Sequence, residues 1–202
     1  MAESTDAVPL RRPYTGSCHC GFTKYIVYLT FPHDPPPTTQ RRGPDGRLRQ
    51  HMYRCNCTTC QKAGIMHIRL PSPPDDFLLL SPLKPFEELG DYQCNEEKLH
   101  FFFCKACGMR CFSFMGEGEL VEKEVGNETK TVWCPKRGWY EDLTKYMSVN
   151  AYTLDAGQER LDLREWTEKK WVMYLDCLVD TDQTVYTPPP ITYERPYEGG
   201  AY

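Results

Sequence analysis

The chain has little that would draw it into a bilayer or onto nucleic acid. No apolar run approaches the ~20 residues a membrane-spanning helix needs. Hydrophobic residues make up 40% and charged residues 26%, close to a soluble globular average. Positive charge is not in excess: 24 Lys+Arg stand against 28 Asp+Glu, for a formal net charge of -4, so no basic field exists to capture phosphate backbones. Neither nucleic acid nor membrane is an expected partner. The start, MAESTDAVPLRR, has neither the basic opening nor the apolar stretch of a secretory signal, which makes the cytosol the expected compartment. Helical periodicity is scarce as well, with LDLREWT the one plausible short helix.

Short alternating segments, punctuated by 17 Pro and 14 Gly, fill the chain instead. GFTKYIVYLT alternates apolar and polar positions and is rich in β-branched and aromatic residues, so it reads as a strand. GIMHIRLP, FLLLSP, KLHFFFC, YMSVNAYTL and KKWVMYLDCLV read likewise, and MRCFSFM reads as the return limb of a hairpin. The expectation is a mainly β fold with little helix. Residues 1–13 read as a disordered leader and 14–186 as a single β domain. A Pro-rich insertion over about 31–50 forms a long loop, and 187–202 form an extended tail, either disordered or laid on a partner subunit. GEGELVEKEVGNE reads as a solvated hairpin or loop. Trp133, Trp139, Trp166 and Trp171, with the run Phe101 to Phe103, are expected in packing rather than as a stacking platform.

Eleven cysteines are the sequence's loudest feature. The count is odd, and in a reducing compartment close pairs bind metal more often than they form disulfides. Seven are clustered: CHC at Cys18 and Cys20, CNCTTC at Cys55, Cys57 and Cys60, and CKAC at Cys104 and Cys107. CKACG suits a zinc knuckle, whose tight turn points both sulfurs inward while Gly permits the backbone it requires. One knuckle gives two ligands and a sealed tetrahedral site needs four, so CHC and CKAC can complete each other. Such a zinc would be structural, contributing about 10–16 kcal/mol of apparent folding free energy. Reduced, buried thiols without metal are the plainer alternative.

Cys55, Cys57 and Cys60 then remain as a group of three, and three protein ligands with a vacant fourth position distinguish a reactive zinc from a sealed one. Three thiolates on Zn²⁺ acidify a bound water less than three imidazoles would, so the centre suits a coordinated thiol or a small carbonyl better than hydroxide attack. A fourth side chain, Cys111 or His67, would instead make a second structural site. Lys62, His67, Arg69 and Arg110 are candidates to bind a carboxylate. His19 and His100 flank cysteines and are expected to face solvent, with a role as ligands or as donors to the ligands the alternative, while Cys94, Cys134 and Cys177 read as ordinary buried or half-buried thiols.

GSCHCGFTKY, CNCTTCQKAG, FFFCKACGMRCF and SVNAYTLD, in that order, resemble the glutathione-dependent formaldehyde-activating enzyme family, which includes centromere protein V. The matching segments run from about Gly16 to Asp155. The resemblance implies a zinc-stapled β-sheet fold like that of the mammalian suppressor-of-Sec zinc protein, with two zinc ions per chain. It implies Cys18, Cys20, Cys104 and Cys107 at a structural zinc and Cys55, Cys57 and Cys60 at a catalytic one. The activity it implies is that of a carbon–sulfur lyase joining a thiol to a small carbonyl, glutathione and formaldehyde in the name-giving members. The metal would lower the thiol pKa or polarise the carbonyl. Met109 stands where the family commonly has Thr, and Cys111 adds a thiol nearby. Two other functions fit the same residues: an enzyme of secondary metabolism acting on a larger carbonyl substrate, and a non-catalytic zinc scaffold for a macromolecule. A homodimer is the base-rate expectation.

Overall fold

The computed structural model describes residues 8–36, 42–43, 46, 48–94, 96–138, 146–179 and 188–202. The first seven residues of the expected leader, part of the Pro-rich insertion and Trp139 lie outside the described residues. Thirteen strands and four short helices follow in chain order among those described. They are β1 (Leu10–Ser17), β2 (Lys24–Phe31), β3 (His51–Cys55), α1 (Thr58–Ala63), β4 (His67–Arg69), α2 (Pro73–Asp76), β5 (Phe77–Ser81) and α3 (Pro85–Glu88). Then come β6 (Gly90–Cys94), β7 (Leu99–Phe103), β8 (Arg110–Met115), β9 (Gly118–Val125), β10 (Glu128–Pro135), β11 (Tyr146–Asn150), α4 (Leu163–Glu168), β12 (Met173–Leu175) and β13 (Ile191–Thr192). The fold is mainly β, as expected.

Two sheets share the strands. One runs β1-β2-β5-β10-β9, the other β13-β12-β3-β4-β11-β8-β7-β6. The period-2 pattern read in GFTKYIVYLT is the reason β2 has one core face: Tyr25, Val27, Leu29 and Phe31 are buried, with half-buried residues between them. They pack in one cluster with Phe77, Leu79 and Trp133 of the same sheet and with Met52, Ile68, Phe102, Phe112, Phe114, Met147 and Val149 of the other. Side chains from both inner faces thus fill the space between the sheets. Trp166 on α4 is fully buried and stacks on Phe31 with ring centroids 5.2 Å apart.

The structure corrects the leader boundary. β1 begins at Leu10 and pairs antiparallel with β2 along its length, from Leu10↔Phe31 to Ser17↔Lys24. Its charges suit an edge strand, and Arg11 lies over the Tyr28 ring while its guanidinium meets Asp76 at 2.8 Å. Three helices were missed beside LDLREWT, all of four to six residues. Two of them start at Pro and occupy a single turn, too short for any periodicity to register. KKWVMYLDCLV forms a strand only over Met173–Leu175. GEGELVEKEVGNE does enter a hairpin, β9 with β10. The tail lies on its own chain: β13 pairs with β12, and the Tyr193 hydroxyl donates to the Pro36 carbonyl at 2.5 Å.

Because the indole N–H of Trp166 has no hydrogen-bond partner among the described residues, its contribution is shape and apolar area. Trp166→Ala is expected to cost about 3–5 kcal/mol, and Trp166→Phe under about 1.5 kcal/mol. Thermal unfolding of the metal-loaded protein reads both; equal losses would mean that the indole nitrogen carries an interaction.

Candidate metal centres

The CHC segment follows β1 in the first sheet, and CKAC follows β7 in the second. The fold nevertheless brings the ligand atoms of Cys18, Cys20, Cys104 and Cys107 within 4.8 Å of one another. The Cys18 and Cys20 sulfurs are 3.6 Å apart and those of Cys20 and Cys104 3.5 Å apart. A disulfide needs about 2.05 Å, whereas four sulfurs around one Zn²⁺ at about 2.3 Å sit about 3.8 Å from each other. The observed spacing fits the second.

Both turns are built for it. Gly21 (φ 78°) and Gly108 (φ 73°) occupy the left-handed region, with Gly21 N–H bonding the Cys18 carbonyl and Gly108 N–H the Cys104 carbonyl. The Thr23 N–H donates to the Cys18 sulfur at 3.2 Å. N–H groups of Cys20 and Met109 draw the Cys107 thiol down to about 6, so the thiolate a metal requires is favoured there. Met109 therefore acts here through its backbone. Cys111 is buried beside this group and feels the charges of Cys18, Cys107 and Cys104, which push its thiol up together with the larger effect of burial. It is thus not a ligand candidate for the second group, correcting that expectation.

Cys55, Cys57 and Cys60 form the second mutually close set, also within 4.8 Å. Cys55 ends β3, Cys57 caps α1 by accepting from the Cys60 N–H, and Cys60 is the buried residue of that helix. The Cys55 and Cys57 sulfurs are 3.3 Å apart. Contact with Cys55 and then Cys57 drives the Cys60 thiol far up, because a third negative charge among three crowded sulfurs is repelled. Cys55 is lowered overall: Cys177 pushes it up, but the Cys57 and Cys60 thiols together outweigh that. Only a cation would let all three ionise together, and the donor set fits one.

His67 is buried with its Nε2 3.1 Å from the Cys60 sulfur, and its Nδ1 is 2.8 Å from Ser148 Oγ and 3.1 Å from the Tyr146 hydroxyl. Tyr146 donates to Ser148 at 2.7 Å, and the Tyr53 and Tyr146 hydroxyls meet at 2.5 Å. The arrangement that uses every donor runs from Tyr53 through Tyr146 and Ser148 to Nδ1, leaving the imidazole proton on Nε2 to point at Cys60. Burial holds the ring neutral, lowering its pKa to about 4. His67 is thereby placed as a donor to the Cys60 sulfur rather than as a carboxylate binder.

Lys62 and Arg110, with Thr58, Thr59, Ala63 and Tyr92, line an open cleft of about 310 Å³ along α1. The sulfurs are not part of its wall, but Thr58 and Thr59 lie in sequence between Cys57 and Cys60. Arg69 instead lies over the Tyr146 ring. His19 is exposed, and His100 is held by Asp91 at 2.7 Å. Cys94 packs beside Cys55 and Cys60, and Cys134 sits in a separate apolar cluster. Sequence reasoning missed the Tyr53, Tyr146 and Ser148 chain. It also took Cys177 as ordinary, whereas its thiol interacts with Cys55.

Cys57→Ser is expected to lower metal content by one ion per chain with little change in melting temperature, whereas Cys104→Ser should abolish cooperative unfolding. Native mass spectrometry and calorimetry check both. Equal unfolding of the two variants would make both groups structural.

No protein-family profile matches the chain. A structural-genomics crystal structure of a Rhodobacter sphaeroides protein is similar over 72% of this chain and 92% of its own, with a TM-score of 0.39 and 16% sequence identity.

Proposed function

We propose that the chain is a zinc-dependent enzyme of the carbon–sulfur lyase type, acting on the adduct of a small thiol and a carbonyl. The observation that carries this reading is the group of three close sulfurs, Cys55, Cys57 and Cys60, beside a cleft with cationic side chains, set apart from a complete group of four. Zinc at the trio would supply Lewis acidity and favour the thiolate of a bound thiol. The resemblance in sequence to the formaldehyde-activating family adds glutathione and formaldehyde as the first pair to test.

The chain's own residues divide the remaining work. Lys62 and Arg110 offer charge to a carboxylate of the thiol substrate, with Thr58 and Thr59 as hydroxyl partners in the same cleft. His67 holds Cys60 by a hydrogen bond that the Tyr146 and Ser148 hydroxyls orient. Phe101, Ile65 and Leu175 pack against Cys55 and Cys60 and keep water from those two sulfurs. A larger carbonyl substrate is the second reading. It draws on the tail, which reaches the loop of the trio through the Glu198 carbonyl and the start of the insertion through Tyr193.

Exchange NMR of glutathione with formaldehyde is expected to show faster interconversion with S-hydroxymethylglutathione when the protein is added. Unchanged rates would remove that pair and leave the larger substrate. Lys62→Ala and Arg110→Ala should each raise KM for an anionic thiol roughly two- to fivefold, the range of solvent-exposed ion pairs, and leave kcat near its starting value. A neutral thiol of similar size should be insensitive to both.

A further inference from the structure

Asn56 stands between two of the three cysteines, and among the described residues its side chain bonds only the C-terminal segment. Its Oδ1 accepts from the Cys177 N–H at 2.7 Å, while its Nδ2 donates to Asp176 Oδ1 at 2.8 Å and to the Glu198 carbonyl at 3.0 Å. The side chain is buried, so water does not replace these bonds when they break. Shape seats the tail on the same residue. A turn closed by the Gly200 N–H on the Tyr197 carbonyl at 2.9 Å brings Gly200 against the loop. A Cβ there would lie 3.1 Å from the Tyr197 carbonyl oxygen, 3.3 Å from the Pro196 Cβ and 3.5 Å from the Asn56 Cβ. Independent fasteners hold the tail in this position: β13 pairs with β12, Tyr193 donates to the Pro36 carbonyl, and Glu194 meets Lys170.

We propose that Asn56 is a positioning residue through which the C-terminal tail, residues 188–202, holds the cysteine trio in its metal-binding arrangement. The inference rests on the metal reading of the trio. Cys55 is placed by β3 and Cys60 by α1, so the turn through Asn56 is what sets Cys57 between them. Three thiolates brought together repel one another. A loop free to relax would spread them and would have to regather them around an arriving cation, whereas a loop already held loses nothing at that step. The backbone of Asn56 contributes as well, its N–H bonding the Leu175 carbonyl where β12 runs parallel to β3. Linkage makes the effect mutual: a tail that tightens the ion is itself tightened by the ion, by the same factor. The group of four cysteines sits on turns after β1 and β7, to which Asn56 makes no bond among the described residues. Its affinity is therefore independent of the tail.

Chelator competition on the full chain loaded with zinc tests this, since it reads the affinity of each ion, and Cys57→Ser identifies which ion belongs to the trio. Asn56→Ala is expected to weaken the trio's ion about ten- to hundredfold and to leave the other ion unchanged. Gly200→Val keeps every sulfur and the Asn56 amide but drives the turn off the loop, and should weaken the same ion. Hydrogen exchange reads the converse. The Cys177 and Gly200 amides should exchange more slowly in the loaded wild type than in Cys57→Ser, by the factor that Asn56→Ala removes from the affinity. Unchanged affinity of both ions in the two variants would overturn the proposal and spare the metal reading. Equal weakening of both ions would overturn it too, because a general loss of stability does not distinguish the sites. One ion per chain in wild type would overturn the metal reading and the proposal together. If Asn56→Ala does not fold, Gly200→Val and the exchange comparison decide, and amides indifferent to the trio's ion would overturn the proposal.

Discussion

The two sheets meet where four sulfurs converge. CHC sits at the end of β1 and CKAC at the end of β7, 84 residues further on by the Cys20 to Cys104 separation. Closing so long a loop costs entropy, and among the described residues no strand ladder joins the two sheets, β1 meeting the segment after β11 only through the isolated bridge Gly16↔Leu154. Packing between their inner faces supplies a continuous apolar core, but the apolar effect has no direction and does not by itself set how one sheet lies on the other. A tetrahedral metal held from both sides would set that relation through bonds of fixed length. The glycines at 21 and 108, the N–H groups aimed at Cys18 and Cys107, and the lowered thiol of Cys107 all prepare the same four sulfurs for a cation.

The second sheet serves two environments at once, and the pleat is the reason. Met52, Ile68, Phe102, Met147 and Val149 face the core. Their neighbours Tyr53, His67, Phe101 and Ser148 therefore face the other way. Register does the rest: Tyr53 lies opposite His67 and Ser148 opposite Arg69, so residues scattered over three strands come to one patch. α1 closes over this patch and carries Cys60 into it. Burying hydroxyls and an imidazole there is tolerable because they bond one another in sequence, from Tyr53 to the sulfur of Cys60.

Legibility in the sequence followed the range of the interaction. Strands with strict alternation, such as Lys24–Phe31, could be read because the pattern is local. The two sulfur groups could be read because CxC and CxxC spacings carry ligand geometry within a few residues, and the pairing of CHC with CKAC followed from a need for four ligands. What could not be read depended on register. Nothing local links Ser148 to His67 or Asn56 to Cys177, since those contacts arise from which strands are neighbours, a choice made by the whole core. Cys177 looked ordinary because it stands alone in LDCLV, with no second thiol in range. Residues 10–13 read as leader in the sequence because a charged edge strand and a disordered tail share composition.

Asn56 shows how the fold ties these levels together. Its place between Cys55 and Cys57 is dictated by the CNC spacing, and with Cys57 it turns the chain from β3 into α1. A buried side chain there must satisfy an amide's donors and acceptor. It does so entirely on the C-terminal segment, with Asp176, Cys177 and Glu198. The geometry of the trio and the position of the tail are thus one constraint rather than two: displacing the tail would strand a buried amide, at a cost of about 1–3 kcal/mol, and would move the loop that spaces two of the sulfurs. A ligand entering beside Cys55 must therefore either fit under the tail or shift it. Access to these sulfurs is accordingly tied to residues more than a hundred positions away in the chain, through the side chain of Asn56.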